Sequence, residues 1–458
     1  MLAVPALAHV SDRGYVLLLP TGYYLFGGAV AVALSFAILA FTPPSPLDRL
    51  ARLRLRALVL PVDGRFLGST ISFLVLASLL AAGLGGSRDP LSNPLPLVFW
   101  TFVWIGMLLV QGVVGDLWRW LNPWYAPWRL ATRLIGRGAE GGLFAYPRAA
   151  GRWPAFAAFG AFVWFELVYV APADPEALAT AMIAYWLYSL AGMIAFGFRA
   201  WCRNGEFLTL LFTIVAQMGI AVFRTTGKGR TLVRFRLPGA GLVLAPSLAA
   251  SGTAFLLLTL SSISFDSLMR TFFWLGLSGI NPLEFPGRSA VVMPNSLGAA
   301  GAFLLLWLLF VLCVRLGEWL AECRQGGAGA AGRLVWSLMP IVLGYHYSHH
   351  LPALLVDGQY ALAAISDPFA RGWNLFGTAG LYVSAAVTAG AEMAWVMWNI
   401  QSAAIIGGHL LAVAASHVVA WRMHGSTARA ARSQIPLAIL MVAYTGFGLW
   451  LLSTPTGY

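Results

Sequence analysis

The chain has 458 residues, of which 59% are hydrophobic and only 10% are charged. Soluble domains carry about 25% charged residues, so the composition excludes an ordinary soluble protein and predicts many membrane spans of about 20 residues each. The formal net charge of +12 does not indicate a nucleic-acid partner, because the basic residues lie in short segments between apolar runs, where they set orientation in a membrane. We therefore expect a lipid bilayer, and no nucleic acid, around this chain.

The apolar runs predict an all-α, polytopic transmembrane helix bundle of about ten spans, forming a single integral membrane domain over 1–458. Of the 29 Lys and Arg residues, 24 fall in five loops on one predicted side of the membrane. The positive-inside rule makes that side cytoplasmic and leaves both termini extracytoplasmic. The excess of arginine over lysine is typical of a GC-rich bacterial genome, so we expect the bacterial cytoplasmic (inner) membrane. The predicted spans are 22–41, 67–86, 96–115, 154–172, 178–198, 238–260, 290–313, 334–356, 397–421 and 435–453.

The N-terminus contains Ala6-Leu7-Ala8, which resembles a signal-peptidase cleavage site. The charged region that normally precedes such a site is missing. Cleavage after Ala8 would make His9 the terminal residue on the outer side. A terminal histidine can bind copper through its amine and its imidazole, and an exposed loop histidine is the alternative.

Two further apolar segments are not counted as spans. A span at 207–223 would export the basic residues that follow it, so we expect 199–237 to be a cytoplasmic surface or re-entrant segment. A span at 374–396 would likewise push the last arginine loop outside. We therefore expect extracytoplasmic loops at 261–289 and 357–396.

The cytoplasmic segment GDLWRWLNPW, residues 115–124, is unusually rich in tryptophan. Tryptophan beside arginine at a membrane interface usually anchors a protein to the headgroup layer. Anchoring is the main expectation for this segment, and a partner or lipid-headgroup site is the alternative.

Three histidines, His346, His349 and His350, lie inside the eighth predicted span. Ionisable side chains at that depth are costly and are usually kept for function. Helical spacings of three and four place all three on one face, and Pro352 removes a backbone donor and frees a carbonyl near Ser348. Neutral imidazoles on one face suit a divalent transition metal, zinc or copper. The alternative is a set of histidines hydrogen-bonded within a wet outer pocket.

His409 and Glu166 lie at a similar predicted depth to His346, near the bilayer midplane. The three side chains could form a metal site or a proton relay, with His409 as a further ligand and Glu166 as a catalytic carboxylate. The alternative for Glu166 is that it is protonated or paired with an arginine.

Two acidic residues follow the histidines in the predicted outer loop. Asp357 comes seven residues after His350, and Asp367 precedes a proline in a turn. Either carboxylate could orient a ligand or act as a catalytic base. Headgroup contact and loop structure are the alternatives for both.

Several segments together resemble a group of bacterial membrane proteins known as fenitrothion hydrolase and their uncharacterised relatives. The resemblance covers nearly the whole chain and implies hydrolysis of an organophosphate triester. Such a name can describe a side reaction on a xenobiotic compound, and the resemblance assigns no catalytic residue. The matching segments are LLLPTGYYLFGG, GDLWRWLNPW, SFDSLMRTFFWLGLSGINPLEFPGR, HYSHHLPALLVDGQY, ISDPFARGWNLFG and AYTGFGLWLL.

Three functions are compatible with these patterns. The first is a metal-dependent enzyme that hydrolyses a small apolar substrate at an outward-facing site. The second is an electron carrier with b-type haem between His346 and His409. The third is a transporter or an assembly subunit that works with a membrane partner subunit and handles metal, protons or a lipid-like molecule.

Overall fold

A computed structural model describes residues 20–53, 57–61, 63–136, 141–226, 229–322, 327–387 and 390–457. The predicted copper-binding residue His9 lies outside these residues. Most of the described chain is helical. The stretch Val98–Gly106 is π-helical, so its backbone hydrogen bonds join residues five apart and not four apart as in an α-helix.

The α-helices are numbered along the described chain. They differ widely in length, from four residues to 34. They are α1 (Thr21–Phe41), α2 (Ser45–Arg52), α3 (Arg65–Gly85), α4 (Pro94–Val113), α5 (Trp118–Leu121), α6 (Tyr125–Leu134), α7 (Trp153–Leu167), α8 (Pro175–Phe196), α9 (Phe198–Asn204), α10 (Phe207–Val215), α11 (Ala240–Leu244), α12 (Ala250–Met269), α13 (Phe272–Leu277), α14 (Val292–Leu320), α15 (Gly327–Leu334), α16 (Met339–Ser366), α17 (Ala391–His424) and α18 (Thr427–Ser453).

The expected membrane helix bundle is confirmed at the level of its helices. Among the described residues, eight helices are long and apolar enough to cross a membrane: α1, α3, α4, α8, α12, α14, α17 and α18. Helices α7 and α16 occupy the fourth and eighth predicted spans. Helix α7 has only 15 residues, whereas α16 has 28 but carries the histidines and other polar side chains.

In their described residues, the two segments that we did not count as spans form no membrane-spanning helix of their own. Residues 207–223 contain α10, which has nine residues, and the start of a strand. Nine helical residues are too few to cross a bilayer. Most residues of α10 are buried in the protein, so this segment is embedded rather than laid on the surface. The described part of 374–396 is largely non-helical until α17 begins at Ala391.

Helix α12 forms the buried centre of the bundle. It packs against α7, α14, α16 and α18, and nearly every residue from Ser251 onward is buried. The helix lies further along the chain than the predicted span 238–260, because the non-helical residues 245–249 around Pro246 delay its start. The predicted loop 261–289 therefore begins too early, since Asp266 belongs to this helix.

Three strands form a small antiparallel sheet at one end of the bundle. They are β1 (Ala57–Leu60), β2 (Ala221–Thr225) and β3 (Thr231–Phe235), in the order β1–β3–β2. The central strand β3 pairs with β2, which directly precedes it in the chain, and with β1, which is distant in sequence. The predicted cytoplasmic segments 42–66 and 199–237 thus bind each other directly.

Other contacts between loops close both ends of the bundle. At the end with the sheet, Arg422 of α17 forms an ion pair with Asp48 of α2. At the opposite end, Arg88 pairs with Asp174 at 2.7 Å, and residues 455–457 bond to the segment that follows α12. Helix α16 also ends at this opposite end, where a Cβ added to Gly86 would lie 3.0 Å from the carbonyl oxygen of Pro368.

Candidate metal centre

Three histidines of α16 form a polar face inside the bundle. Their spacing places His346, His349 and His350 on the same side of the helix, as the sequence predicts. His346 is fully buried, and the other two are partly accessible. The ring centroids of His346 and His350 are 4.6 Å apart, and those of His349 and His350 are also 4.6 Å apart. The three imidazoles therefore form one continuous group.

A proline within α16 determines how this helix attaches to α17. Pro352 has no N–H group, so the carbonyl of Ser348 loses its helical donor. Gln401 of α17 donates to this carbonyl from Nε2 at 2.7 Å. The hydroxyl of Ser348 in turn donates to the carbonyl of Gln401 at 2.7 Å. The predicted free carbonyl near Ser348 is thus confirmed, and its partner holds the histidine face in place.

An aspartate of α12 meets the histidine face. Oδ2 of Asp266 lies 2.6 Å from Nε2 of His349. The other ring nitrogen of His349, Nδ1, lies 3.0 Å from the hydroxyl of Ser267. Both nitrogens of this imidazole have partners, which fixes the orientation of its ring.

The carboxylate of Asp266 and the imidazoles of His349 and His350 bring three potential metal-ligand atoms together. One ligand atom from each lies within 4.8 Å of the other two, and the described residues contain no second group of this kind. A tetrahedral zinc ion with bonds of about 2.0 Å holds its ligand atoms about 3.3 Å apart. Asp266 and His349 would therefore need to separate by less than about 1 Å, which small side-chain rotations can supply.

Charged side chains flank this group. Arg270, one turn after Asp266, donates to Oδ1 of that aspartate at 2.7 Å. Its side chain is 35% exposed, whereas that of Asp266 is 5% exposed, so Arg270 marks the open side of the site. Glu166, at the end of α7, interacts electrostatically with Asp266 and Arg270. The predicted Glu166 therefore lies within electrostatic range of the site.

His346 lies deeper than the other two histidines. Neither of its ring nitrogens has a hydrogen-bond partner, although the carbonyl groups of Trp104 and Ile105 lie near the ring. The indole of Trp104 packs edge-on against the imidazole, with ring centroids 5.8 Å apart. Trp104 belongs to the π-helical stretch of α4, a rare geometry that often accompanies functional sites. A buried imidazole without partners is costly, so the ring nitrogens of His346 are available to a ligand.

His409 lies away from this group. Helices α16 and α17 are antiparallel, and a Cβ added to Gly344 would meet the carbonyl of Ala404. This register separates His409 from His346 by about seven residues, or roughly 10 Å along the helix axis. Nδ1 of His409 lies 2.9 Å from the carbonyl of Ile405 in its own helix. The structure therefore does not place His346 and His409 at one level, as the expected shared site would require.

The two predicted catalytic aspartates lie beyond the site. Helix α16 continues to Ser366, so Asp357 is helical and not in a loop, about 10 Å along the axis from His350. Asp367 accepts hydrogen bonds from the N–H groups of Arg371 at 2.8 Å and Gly372 at 2.7 Å. These bonds lower the pKa of Asp367 and stabilise a turn. Neither aspartate joins the three-residue group.

Sequence reasoning placed Asp266 in an outer loop that could cover the histidine pocket, and it identified neither Asp266 nor Ser267 as a residue of the site. The sequence feature that could have identified them is the run of hydroxyl side chains that ends in SFDS. This run lowers the hydropathy of the second half of α12, so the predicted span ends too early in the chain. A span placed at 250–269 would have put Asp266 at the depth of His349. An aspartate inside a span is then a functional candidate by the same argument as the histidines.

No protein family, curated protein or solved structure matches the chain.

Proposed function

We propose that this chain is an integral membrane metalloprotein that binds a divalent transition metal ion through Asp266, His349 and His350 and hydrolyses esters of apolar molecules. The convergence of these three ligand atoms within 4.8 Å carries the proposal. Two imidazoles and one carboxylate are a ligand set of hydrolytic zinc enzymes, and the same set holds ferrous ions in some oxygenases. Three protein ligands leave a coordination position for water or substrate.

A bound ion would lower the pKa of a coordinated water and polarise a phosphoryl or carbonyl oxygen. Arg270 would orient such an oxygen from the open side, because its guanidinium offers several donors in a fixed geometry. Ser267 would keep the ring of His349 in its binding orientation. Glu166 is the best placed of the predicted carboxylates to act as a general base, and His346 is the candidate for a fourth ligand.

The substrate class follows from the medium and from the resemblance to the fenitrothion hydrolase group. An apolar ester partitions into the bilayer and would reach the protein from there. An organophosphate-like triester fits this description and needs the phosphoryl polarisation that a metal ion supplies. Zinc is the ion that suits hydrolysis best, and copper with the same ligands would favour redox chemistry.

We further propose that the chain crosses the bacterial inner membrane ten times with both termini on the outer side. The sheet unites loops 42–66 and 199–237, and the ion pair between Asp48 and Arg422 adds the loop after α17. Segments predicted to be cytoplasmic therefore contact one another, which supports this topology. The site would then open toward the periplasm.

A second candidate function is transport or assembly, in which the site passes metal ions or protons to another membrane subunit. Buried polar groups that continue from the site toward the sheet favour it. The hydroxyl groups of Ser264 and Tyr444 lie 2.5 Å apart, and the hydroxyl of Tyr345 and Nε2 of His409 have no hydrogen-bond partner. Polar groups of this kind inside a membrane often form proton paths. A haem carrier has less support, because the register separates His346 from His409.

The metal content of the purified protein tests the proposal. We would isolate the wild type and the variants Asp266→Asn and His350→Ala in detergent, and quantify bound metals by mass spectrometry. His424→Ala, at the opposite end of α17, is the matched control. We expect about one equivalent of metal in the wild type and in the control, and its loss in both site variants.

Hydrolysis of a chromogenic phosphotriester in mixed micelles is measured in the same preparations. Metal-dependent turnover would support the hydrolase, and stoichiometric metal without turnover would favour transport or assembly. A wild type that binds no zinc, copper or iron, even after loading, would overturn the hydrolase and leave proton transfer or assembly as the candidate. A Soret band in the visible spectrum would instead select haem.

A further inference from the structure

A large cavity lies on the other side of α4 from the histidines. It has a volume of about 610 Å³ and is enclosed by α3, α4, α7 and α8, with α5 and α10 at its inner end. Its walls are almost entirely hydrocarbon. Typical lining residues are Val75, Leu79, Val103, Phe165 and Met182.

Small side chains and a missing helix contact create this space. Ala158 of α7 and Ala181 of α8 both line the cavity. Helix α3 packs against α4, α5, α6 and α8 but not closely against α7. The cavity therefore opens sideways between α3 and α7, where the exposed side chains of Ile71 and Trp164 flank it.

We propose that this cavity binds a long hydrocarbon chain, of the acyl or isoprenoid type, that enters laterally from the bilayer. The helices around the opening are of membrane-spanning character, so the surrounding medium at that level is itself hydrocarbon. Water is a poor occupant, because a buried water needs two to four polar partners and these walls offer almost none. A flexible apolar chain suits both the hydrocarbon walls of the cavity and the hydrocarbon interior of the bilayer from which it would enter.

Two aromatic side chains lie between the cavity and His346, which neighbours His350 of the candidate metal centre. Phe162 lines the cavity and contacts Trp104, with ring centroids 4.6 Å apart. Trp104 in turn packs against His346. Chain binding does not depend on the proposed reaction. Joined to that reaction, it identifies the substrates as esters that carry a long hydrocarbon chain.

Photolabelling with a diazirine-bearing palmitic acid tests the inference on the full chain in nanodiscs. In the double variant Ala158→Phe/Ala181→Phe, two aromatic rings fill the cavity. The matched control is Ala157→Phe/Ala184→Phe, whose positions lie on the same helices but are exposed outward. We expect labelled peptides from cavity-lining residues in the wild type and the control, and loss of this label in the filled variant.

Competition shows which kind of chain the cavity prefers. Excess unlabelled palmitate or farnesol should remove the cavity label, and the stronger competitor separates the acyl from the isoprenoid type. His350→Ala should keep the label, which distinguishes failure of the metal proposal from failure of this one. Should the filled variant not fold, Ala181→Leu and the competition series decide. Label spread evenly over lipid-facing side chains, or label that resists both filling and competition, would overturn the inference.

Discussion

Gln401 gives Ser348 the hydrogen-bond donor that Pro352 removes from α16, at a distance of 2.7 Å. Gln401 belongs to α17, so the hydrogen bond that satisfies this carbonyl of α16 also joins the two helices. His349 and His350 lie between the repaired carbonyl and the proline. The position of the candidate metal centre thus depends on a polar contact within the membrane region.

Replacing Gln401 with leucine should destabilise the protein by about 1–3 kcal/mol, because a buried carbonyl is left without a donor. The double variant Pro352→Ala/Gln401→Leu should recover much of this loss, since alanine restores the N–H group at position 352. Thermal unfolding in detergent, followed by circular dichroism, measures both. Equal destabilisation of the single and double variants would show that Gln401 acts by packing alone.

Ser267→Ala should weaken metal binding about 10- to 100-fold while leaving the three ligands intact, because removing an outer-shell partner frees the ring of His349. Titration with zinc in the presence of a competing chelator gives the affinity. Ser264→Ala is the control, since its hydroxyl contacts Tyr444 and not a histidine. Equal losses in the two serine variants would contradict the orienting role.

Adjacent glycines of α17 should respond differently to alanine. A Cβ at Gly408 would lie 2.5 Å from the carbonyl of Pro340, whereas a Cβ at Gly407 meets nothing within 4 Å. We expect Gly408→Ala to cost about 1–3 kcal/mol through overpacking of α16 against α17. Gly407→Ala should be neutral or slightly stabilising, because alanine favours a helix. Unfolding temperatures of the two variants provide the comparison, and similar values would refute this packing argument.

Asp48 should make stability depend on acid. Burial by itself would raise the pKa of Asp48, but hydrogen bonds from Arg52 and Arg422 outweigh it and hold the pKa below the usual 3.8. The stabilisation is then fully present above about pH 4 and is lost as the pH falls through the lowered pKa. The difference in unfolding temperature between the wild type and Asp48→Asn should therefore shrink at low pH.

Two arginine variants act as controls for this ion pair. The side chain of Arg52 is 62% exposed and that of Arg422 is 20% exposed. Exposed pairs contribute about 0–1 kcal/mol, so Arg52→Ala should cost less than Arg422→Ala, which also loses a bond to the carbonyl of Val243. A wild-type advantage over Asp48→Asn that persists unchanged at pH 3 would exclude the carboxylate as its source.

The C-terminal residues should stabilise the open side of the metal centre. The N–H of Gly457 donates to the carbonyl of Arg270 at 2.8 Å, and the N–H of Phe272 donates to the carbonyl of Pro455 at 3.2 Å. A stop codon at position 455 removes both bonds. We expect faster amide hydrogen exchange at 270–275 and weaker metal binding, measured by mass spectrometry. Unchanged exchange there would show that α12 and α13 order this segment alone.

Much of the fold could be predicted because hydropathy and helical spacing are local properties of the sequence. The membrane bundle and the shared face of the three histidines both follow from them. The partnership between Asp266 and His349 could not be predicted, because it depends on which helix packs against α16. In addition, the predicted sixth span ended at residue 260, which left Asp266 outside the membrane. His409 was misplaced for a related reason, since depth estimates ignore the register between helices.

The tryptophan-rich segment 115–124 shows the same limit. We expected it to anchor the protein in the headgroup layer, but Trp118 and Trp124 are almost completely buried. Nε1 of Trp118 donates to Thr209 at 2.9 Å, and Nε1 of Trp124 donates to the carbonyl of Trp186 at 3.0 Å. Burial of α10 inside the protein provides these partners. Tryptophans of a type common at membrane interfaces therefore pack inside this protein, and the sequence alone does not reveal that.

The pairing of β1 with β3 also has a consequence for biosynthesis. Ala57 pairs with Arg234, so a ribosome must translate four of the proposed membrane crossings between these two strands. Until β3 has been translated, Leu58 and Val59 of β1 have no strand to pair with. Non-local contacts of this kind form slowly, and an unpaired strand edge is prone to aggregate. Co-translational insertion would therefore leave this edge in need of chaperone protection until translation has passed β3.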